Sequence, residues 1–117
     1  SPVGPYNQAI LANGWPYCSG QIALDPISGE MIGEGDIKKE TQQVLTNLLA
    51  VLNKAGATTN NIVKTTIYLT DLKDFSKVNQ IYSSFFQEGL SPARACVEVA
   101  GLPKGGKVEI ECIAWLG

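Results

Sequence analysis

"NIVKTTIYLTDLKDFSKVNQIYSSFFQEGLSPARACVEVA" (residues 61–100) decides the fold. Residues 61–69 are β-branched and half alternating, which predicts a strand. Over 71–89, Phe75, Val78, Tyr82, Phe85 and Phe86 recur at helical spacing, with an Asp ahead of them and Gly89 behind. That pattern predicts an amphipathic helix. "PARACVEVA" (92–100) then reads as another strand. Strands joined through helices imply parallel pairing of at least some of them, because parallel neighbours need a crossover of about this length.

Upstream, "DIKKETQQVLTNLLAVLNKAG" (36–56) is the clearest helix: Val44, Leu45, Leu48, Leu49 and Leu52 form one stripe, and Ala55-Gly56 stops it. Before it, Asn13-Gly14 lies between two strand-like runs, and this pair tolerates the positive φ angles of a tight hairpin. Pro16 cannot donate a ladder bond, which suits a strand start or an edge. "DPISGE" (25–30) makes a turn, and a short third strand is expected near Glu30–Ile32. At the other end a Pro-Lys-Gly-Gly turn leads into "KVEIECIAW" (107–115), a last strand. Two helices with one apolar stripe each need a single sheet to cover. The expected architecture is therefore α+β, a two-layer sandwich with both helices on one face of a mixed sheet. At 117 residues the chain is expected to be one domain, 1–117, burying about two-thirds of its unfolded surface.

Alternation along the last two strands predicts which side chains share a face. In the first, Ala93, Ala95, Val97 and Val99 oppose Arg94, Cys96 and Glu98. In the second, Val108, Ile110, Cys112 and Ala114 oppose Lys107, Glu109, Glu111, Ile113 and Trp115. The small aliphatic sets are expected under the helices. Arg94, Glu109 and Glu111 are then expected together on the far face, with Tyr17, Cys96, Ile113 and Trp115 as apolar company. A mixed face of this kind reads as a subunit interface with a polar, anion-friendly pocket. Arg94 also fits a structural role, as a buried guanidinium paired with a carboxylate, and Glu109 and Glu111 fit a cross-strand or surface pair.

Composition narrows the chemistry. The charged fraction of 17% is low, consistent with surface buried against other copies of the chain. A net charge of −2 argues against nucleic acid as a partner. No apolar run reaches the length of a membrane span. The Ser1-Pro2 start suggests that a few residues are missing from the front. Cys18, Cys96 and Cys112 are odd in number and lack CxxC spacing, and the chain has no histidine. Neither a zinc site nor a disulfide is expected, and reduced thiols are the simpler reading. Cys96 has no histidine to take its proton, though Arg94 could lower its pKa.

Four segments together are similar to a known family: "GPYNQA" (4–9), "SGQIALDP" (19–26), "AG" (55–56) with "IVKTTIYLTDLKDFSKVNQIYSSFF" (62–86), and "PARACVEVAGLPKGGKVEIECIA" (92–114). In this order they resemble the YjgF-type reactive intermediate deaminases, the RidA family, over essentially the whole chain. The resemblance implies a chorismate-mutase-like fold assembled as a homotrimer around a central barrel, with active sites between neighbouring subunits. It implies hydrolysis of 2-imino acids to 2-keto acids and ammonia without a cofactor or a metal. The family's arginine falls on Arg94, to grip the substrate carboxylate through a planar fork. Its glutamate falls on Glu109, to hold the attacking water and shuttle a proton. The resemblance further implies that Tyr6 lines the pocket across the subunit boundary, that Ser19 and Gly20 shape its floor, that Asn79 stands at its edge, and that the backbone N–H of Cys96 is a second donor to the carboxylate. One departure is Asn7, where "GPYSQA" is the commoner reading.

Two other functions use the same residues or the same fold. A trimeric binding module could hold a small carboxylate on Arg94 without turning it over. An endoribonuclease or translation inhibitor would need an RNA grip that an acidic chain without histidine is poorly equipped to supply. The compartment expected is the bacterial cytoplasm, although an organellar protein trimmed of its transit peptide would look the same.

Overall fold

The computed structural model describes residues 7–33, 35–87 and 89–117. Asn13 (φ 50°) and Gly14 (φ 80°) form the predicted turn between β1 (Ala9–Ala12) and β2 (Trp15–Gln21). Positive φ at both positions matches the twist of the flanking strands. β2 also pairs antiparallel with β5 (Val108–Ala114), and that pairing begins at Tyr17, one residue after Pro16. The proline therefore sits where a missing donor costs little. The expected third strand near residues 30–32 reduces to an isolated bridge between Leu24 and Met31.

Helix α1 (Ile37–Lys54) starts at Asp36, whose carboxylate accepts from the backbone N–H groups of Lys38 and Lys39. Its stripe of Val44, Leu45, Leu48 and Leu52 is buried. Buried Glu40 is satisfied by the Lys107 backbone N–H at 3.0 Å. Strand β3 (Ile62–Leu69), a single helical turn at Leu72–Asp74, helix α2 (Phe75–Ser84) and β4 (Ala93–Glu98) form the predicted crossover. β3 and β4 are parallel.

The five strands lie in the order β1-β2-β5-β3-β4, so β1 and β4 are the edges. Both helices cover one face: Leu48 and Leu52 of α1 and Val78 and Tyr82 of α2 share one core with Ile67, Leu69, Val108 and Ile110 of the sheet. The thiols of Cys18 and Cys112 face each other in that core as cross-strand partners, and both are free. Two irregularities flank β5. In β2 the register slips between Cys18 and Gln21, so that Ser19 and Gly20 together oppose one residue of β5. In β3 a second slip falls between Ile62 and Lys64. Each is a β-bulge, which bends the strand and re-aims the side chains beside it.

Candidate functional site

The two halves of the expected site lie on opposite faces of the sheet. Arg94, Cys96 and Glu98 of β4 are in register with Thr65, Ile67 and Leu69 of β3. Residues paired in parallel register point to the same side, and Thr65, Ile67 and Leu69 are buried under the helices. Arg94 therefore belongs to the helix side. This corrects the expectation that it shares the far face with Glu109 and Glu111. Ala93 and Val97, expected beneath the helices, are instead exposed on the open face. The reason is the edge position of β4. An arginine there can run its stem along the rim of the helix layer and keep its head in water, so burial does not force it to the other side.

Arg94 has a shaped bed. Its Nη1 donates to the Asn79 side-chain oxygen at 2.5 Å. Its guanidinium carbon lies 5.3 Å from the Phe75 ring centroid and 5.0 Å from that of Tyr82. Phe75, Asn79 and Tyr82 stand at i, i+4 and i+7 of α2, so one helical stripe supplies all three contacts. Tyr82 is fixed in turn by a 2.6 Å hydrogen bond with Thr65 Oγ1. The group is exposed, and its partners among the described residues are rings and an amide rather than a carboxylate. A guanidinium stacked on rings and tied at one edge is oriented to receive a planar anion through a two-pronged contact. Cys96 lies next to it on the same face. Burial pushes its thiol up, and the Arg94 charge only partly offsets this, so Cys96 remains a thiol at neutral pH.

Glu109 and Glu111 point to the open face, as expected, together with Tyr17 and Ile113. Between Glu109 and the neighbouring β2 there is no room to spare: a β-carbon on Gly20 would stand 2.7 Å from the Glu109 carboxyl carbon. The bulge that carries Gly20 is pinned by Ser19, whose hydroxyl donates to the Asn7 carbonyl at 2.5 Å and whose N–H donates to the Gln8 carbonyl at 2.9 Å. On the β3 side Tyr68 is the direct partner of Glu109, and its hydroxyl donates to Glu111 Oε1 at 2.5 Å. Burial, and secondarily the Glu111 charge, raise the Glu109 carboxyl above the ordinary carboxylate range. The Glu111 hydrogen bond, burial and both carboxylate charges hold the Tyr68 hydroxyl up to about 12, so it stays a donor.

Ser19, Gly20 and Glu109 are thus together on one face, and Arg94, Asn79 and Cys96 together on the other. Tyr6 lies outside the described residues. Tyr68 and the Phe75–Tyr82 bed were not singled out from the sequence. The i, i+4, i+7 spacing around Asn79 carries the signal for the bed, whereas Tyr68 looks like any strand aromatic. A cavity of about 460 Å³ elsewhere, lined by Asp36, Lys38, Asp74, Lys77 and Lys107, contains none of these residues. Among the described residues no cluster of three or more His, Cys, Asp or Glu could hold a metal ion. No helix among them is long and apolar enough to cross a membrane.

An oriented arginine on the rim of the sheet and a carboxylate of raised proton affinity on its open face are the two features that can meet an anion and accept a proton. The family described as endoribonuclease L-PSP matches residues 1–116. A RutC family protein of Synechocystis is 56% identical over 116 residues, covering 99% of this chain and 89% of that protein. The 2-iminobutanoate/2-iminopropanoate deaminase of Bos taurus is 48% identical over 115 residues, covering 98% of this chain and 82% of that protein. A solved Rid family protein of unknown function from Yersinia pestis superposes with a TM-score of 0.94 at 51% identity, covering 98% of this chain and 90% of that one. The chain belongs to this family, the YjgF-type or RidA proteins.

Proposed function

We propose that the chain hydrolyses reactive 2-imino acids, 2-iminobutanoate and 2-iminopropanoate, to 2-keto acids and ammonia. It does so as a homotrimer in which Arg94 of one copy meets Glu109 of the next. The observation that carries this reading is the placement of Arg94 and Glu109 on opposite faces, with β3 between their strands. A 2-imino acid has its carboxylate bonded directly to the imine carbon, so a carboxylate clamp and a water-activating base must stand within a few ångströms of each other. One chain does not bring them there. A cleft in which the rim of one copy closes on the open face of another does.

In that cleft Arg94 holds the substrate carboxylate, steadied by Asn79 and the two rings. Water attacks the iminium carbon while the Glu109 carboxylate takes one of its protons, giving a neutral carbinolamine. Glu109 returns the proton to the amino nitrogen, then takes the hydroxyl proton as the C=O bond forms and the C–N bond breaks; ammonia leaves, and the proton passes from Glu109 to it as ammonium. A carboxylate whose proton affinity is raised by burial is a stronger base for the first step. Tyr6, Ser19, Gly20 and the Cys96 backbone N–H complete the pocket in this reading. The endoribonuclease in the family's description finds neither a histidine nor a basic balance here, the net charge being −2.

The test generates 2-iminobutanoate in situ with threonine dehydratase and follows its capture by semicarbazide. The wild type is expected to divert imine to 2-ketobutyrate, and Arg94→Ala is expected not to. If the wild type leaves the trapping rate unchanged, the deaminase reading falls, and binding of small carboxylates without turnover becomes the alternative.

A further inference from the structure

We propose that Glu111, held by the Tyr68 hydroxyl, is a positioning residue that sets the proton affinity of Glu109. Its meaning for catalysis rests on the deaminase reading, but the coupling itself does not.

The argument is geometric. Glu109 and Glu111 are two residues apart on β5 and point to the same face, so their carboxylates start from backbone positions about 6.8 Å apart. Left to themselves, two such carboxylates would swing away from each other into water. Glu109 has little freedom to do so. Gly20 of β2 stands against it, close enough that even a methyl group would not fit. On its other side stands Tyr68, its direct partner in β3. Glu111 is restrained too. Tyr68 reaches diagonally past its own partner and donates its hydroxyl proton to Glu111 Oε1. Aromatic side chains can span that diagonal, and here the reach fixes the second carboxylate near the first.

Among the described residues the remaining charged groups do not compete. From β2 the adjacent residues are Ser19 and Gly20, which do not titrate. Lys64 stands beside Ile113 at the far end of β3. Lys107 runs its side chain toward Gly35, with its Cε 3.6 Å from where a β-carbon there would lie. On β4, Glu98 and Arg94 are on the helix side. Among the described residues Glu111 is accordingly the nearby charge that raises the Glu109 carboxyl, acting on top of burial. Glu111 need not touch substrate. By keeping a negative charge at fixed distance it makes Glu109 the better proton acceptor toward the attacking water.

The experiment is a carbon-13 NMR titration of the Glu109 side-chain carboxyl in the full chain, in wild type, Glu111→Gln and Glu98→Gln. The amide of Glu111→Gln still accepts from Tyr68, so the strands keep their register while the charge is lost. The Glu109 midpoint is expected to fall by about 0.5–1.8 pH units in Glu111→Gln, the Coulomb effect of one charge at this separation between bulk-water and surface screening. It is expected to stay put in Glu98→Gln. An unmoved midpoint in Glu111→Gln, or an equal fall in both variants, overturns the proposal. In the imine assay the acidic limb of the kcat/KM profile should move down with the midpoint. A loss of rate with an unmoved limb would make Glu111 merely structural and likewise overturns it. If the wild type shows no imine hydrolysis, a Glu109 midpoint that falls in Glu111→Gln and stays put in Glu98→Gln upholds the coupling and removes only the deaminase reading.

Discussion

Gly20 and Glu109 touch across the β2–β5 bulge: the space a Gly20 side chain would fill is occupied by the Glu109 carboxyl group. Gly20→Ala must push that carboxylate aside, because the backbone of the bulge is tied to residues 7 and 8. A displacement near 1 Å is expected to lower imine hydrolysis about 100-fold. Overpacking at this site is expected to cost about 1–3 kcal/mol, measured by urea unfolding. Full activity in Gly20→Ala would remove Glu109 from the chemistry.

Arg94→Lys keeps the charge but loses the fork, the hydrogen bond to Asn79 and the stacking on Phe75 and Tyr82. Losing one charge-assisted contact is worth about 1.5–3 kcal/mol, so kcat/KM for 2-iminobutanoate should drop about 10- to 150-fold. A lysine variant with native kinetics would show that charge alone suffices.

Mixing variants tests where the site lies. Arg94→Ala and Glu109→Gln are each expected to be inactive. If each site draws Arg94 from one copy and Glu109 from another, co-refolding equal amounts should restore about one quarter of wild-type activity, the random share of sites that are intact on both sides. No recovery, with mixed assemblies verified by mass, would mean that one chain supplies both residues.

Glu109 also predicts how stability varies with pH. Its carboxyl is raised by burial and then by Glu111, so the folded chain favours the protonated form. Such a group contributes stability fully below its unfolded pKa, and that contribution is lost as pH rises through the folded value. Glu109→Gln should therefore melt above wild type at pH 7–8. The difference should vanish below about pH 4, where the carboxyl is protonated in both states. A melting temperature that falls at pH 7–8 would show that the ionised carboxylate is stabilised by contacts absent from the pattern described.

Leu48 is almost fully buried on the α1 stripe. Leu48→Ala should cost about 2–5 kcal/mol by urea unfolding, since the sheet beneath cannot collapse into the void.

The hairpin, both helices and the parallel crossover were legible because each rests on local signals: Asn13-Gly14, the Ala55-Gly56 stop, and two stripes at helical spacing. The face of β4 was not. Its alternation sets Ala93, Ala95 and Val97 against Arg94, Cys96 and Glu98, and hydropathy alone sends the charged set away from the helices. Register with β3 decides otherwise, and register is a long-range property that an edge strand barely records in its own residues. The bulge at Ser19–Gly20 was hidden for a related reason. One extra residue in a strand has no composition, although the glycine beside Glu109 marks where the backbones come close.

The edge position of β4 has a further consequence, for the order in which the protein comes apart. β4 is held by one neighbour, whereas β5 is clamped between β2 and β3. Amide hydrogens of residues 93–98 should therefore exchange with solvent through local openings that cost less than global unfolding, while those of 108–114 wait for the whole domain to open. The carboxylate-gripping half of the site would then be the loosely hinged half. A small anion captured by Arg94 should slow exchange in β4 and leave β5 unchanged.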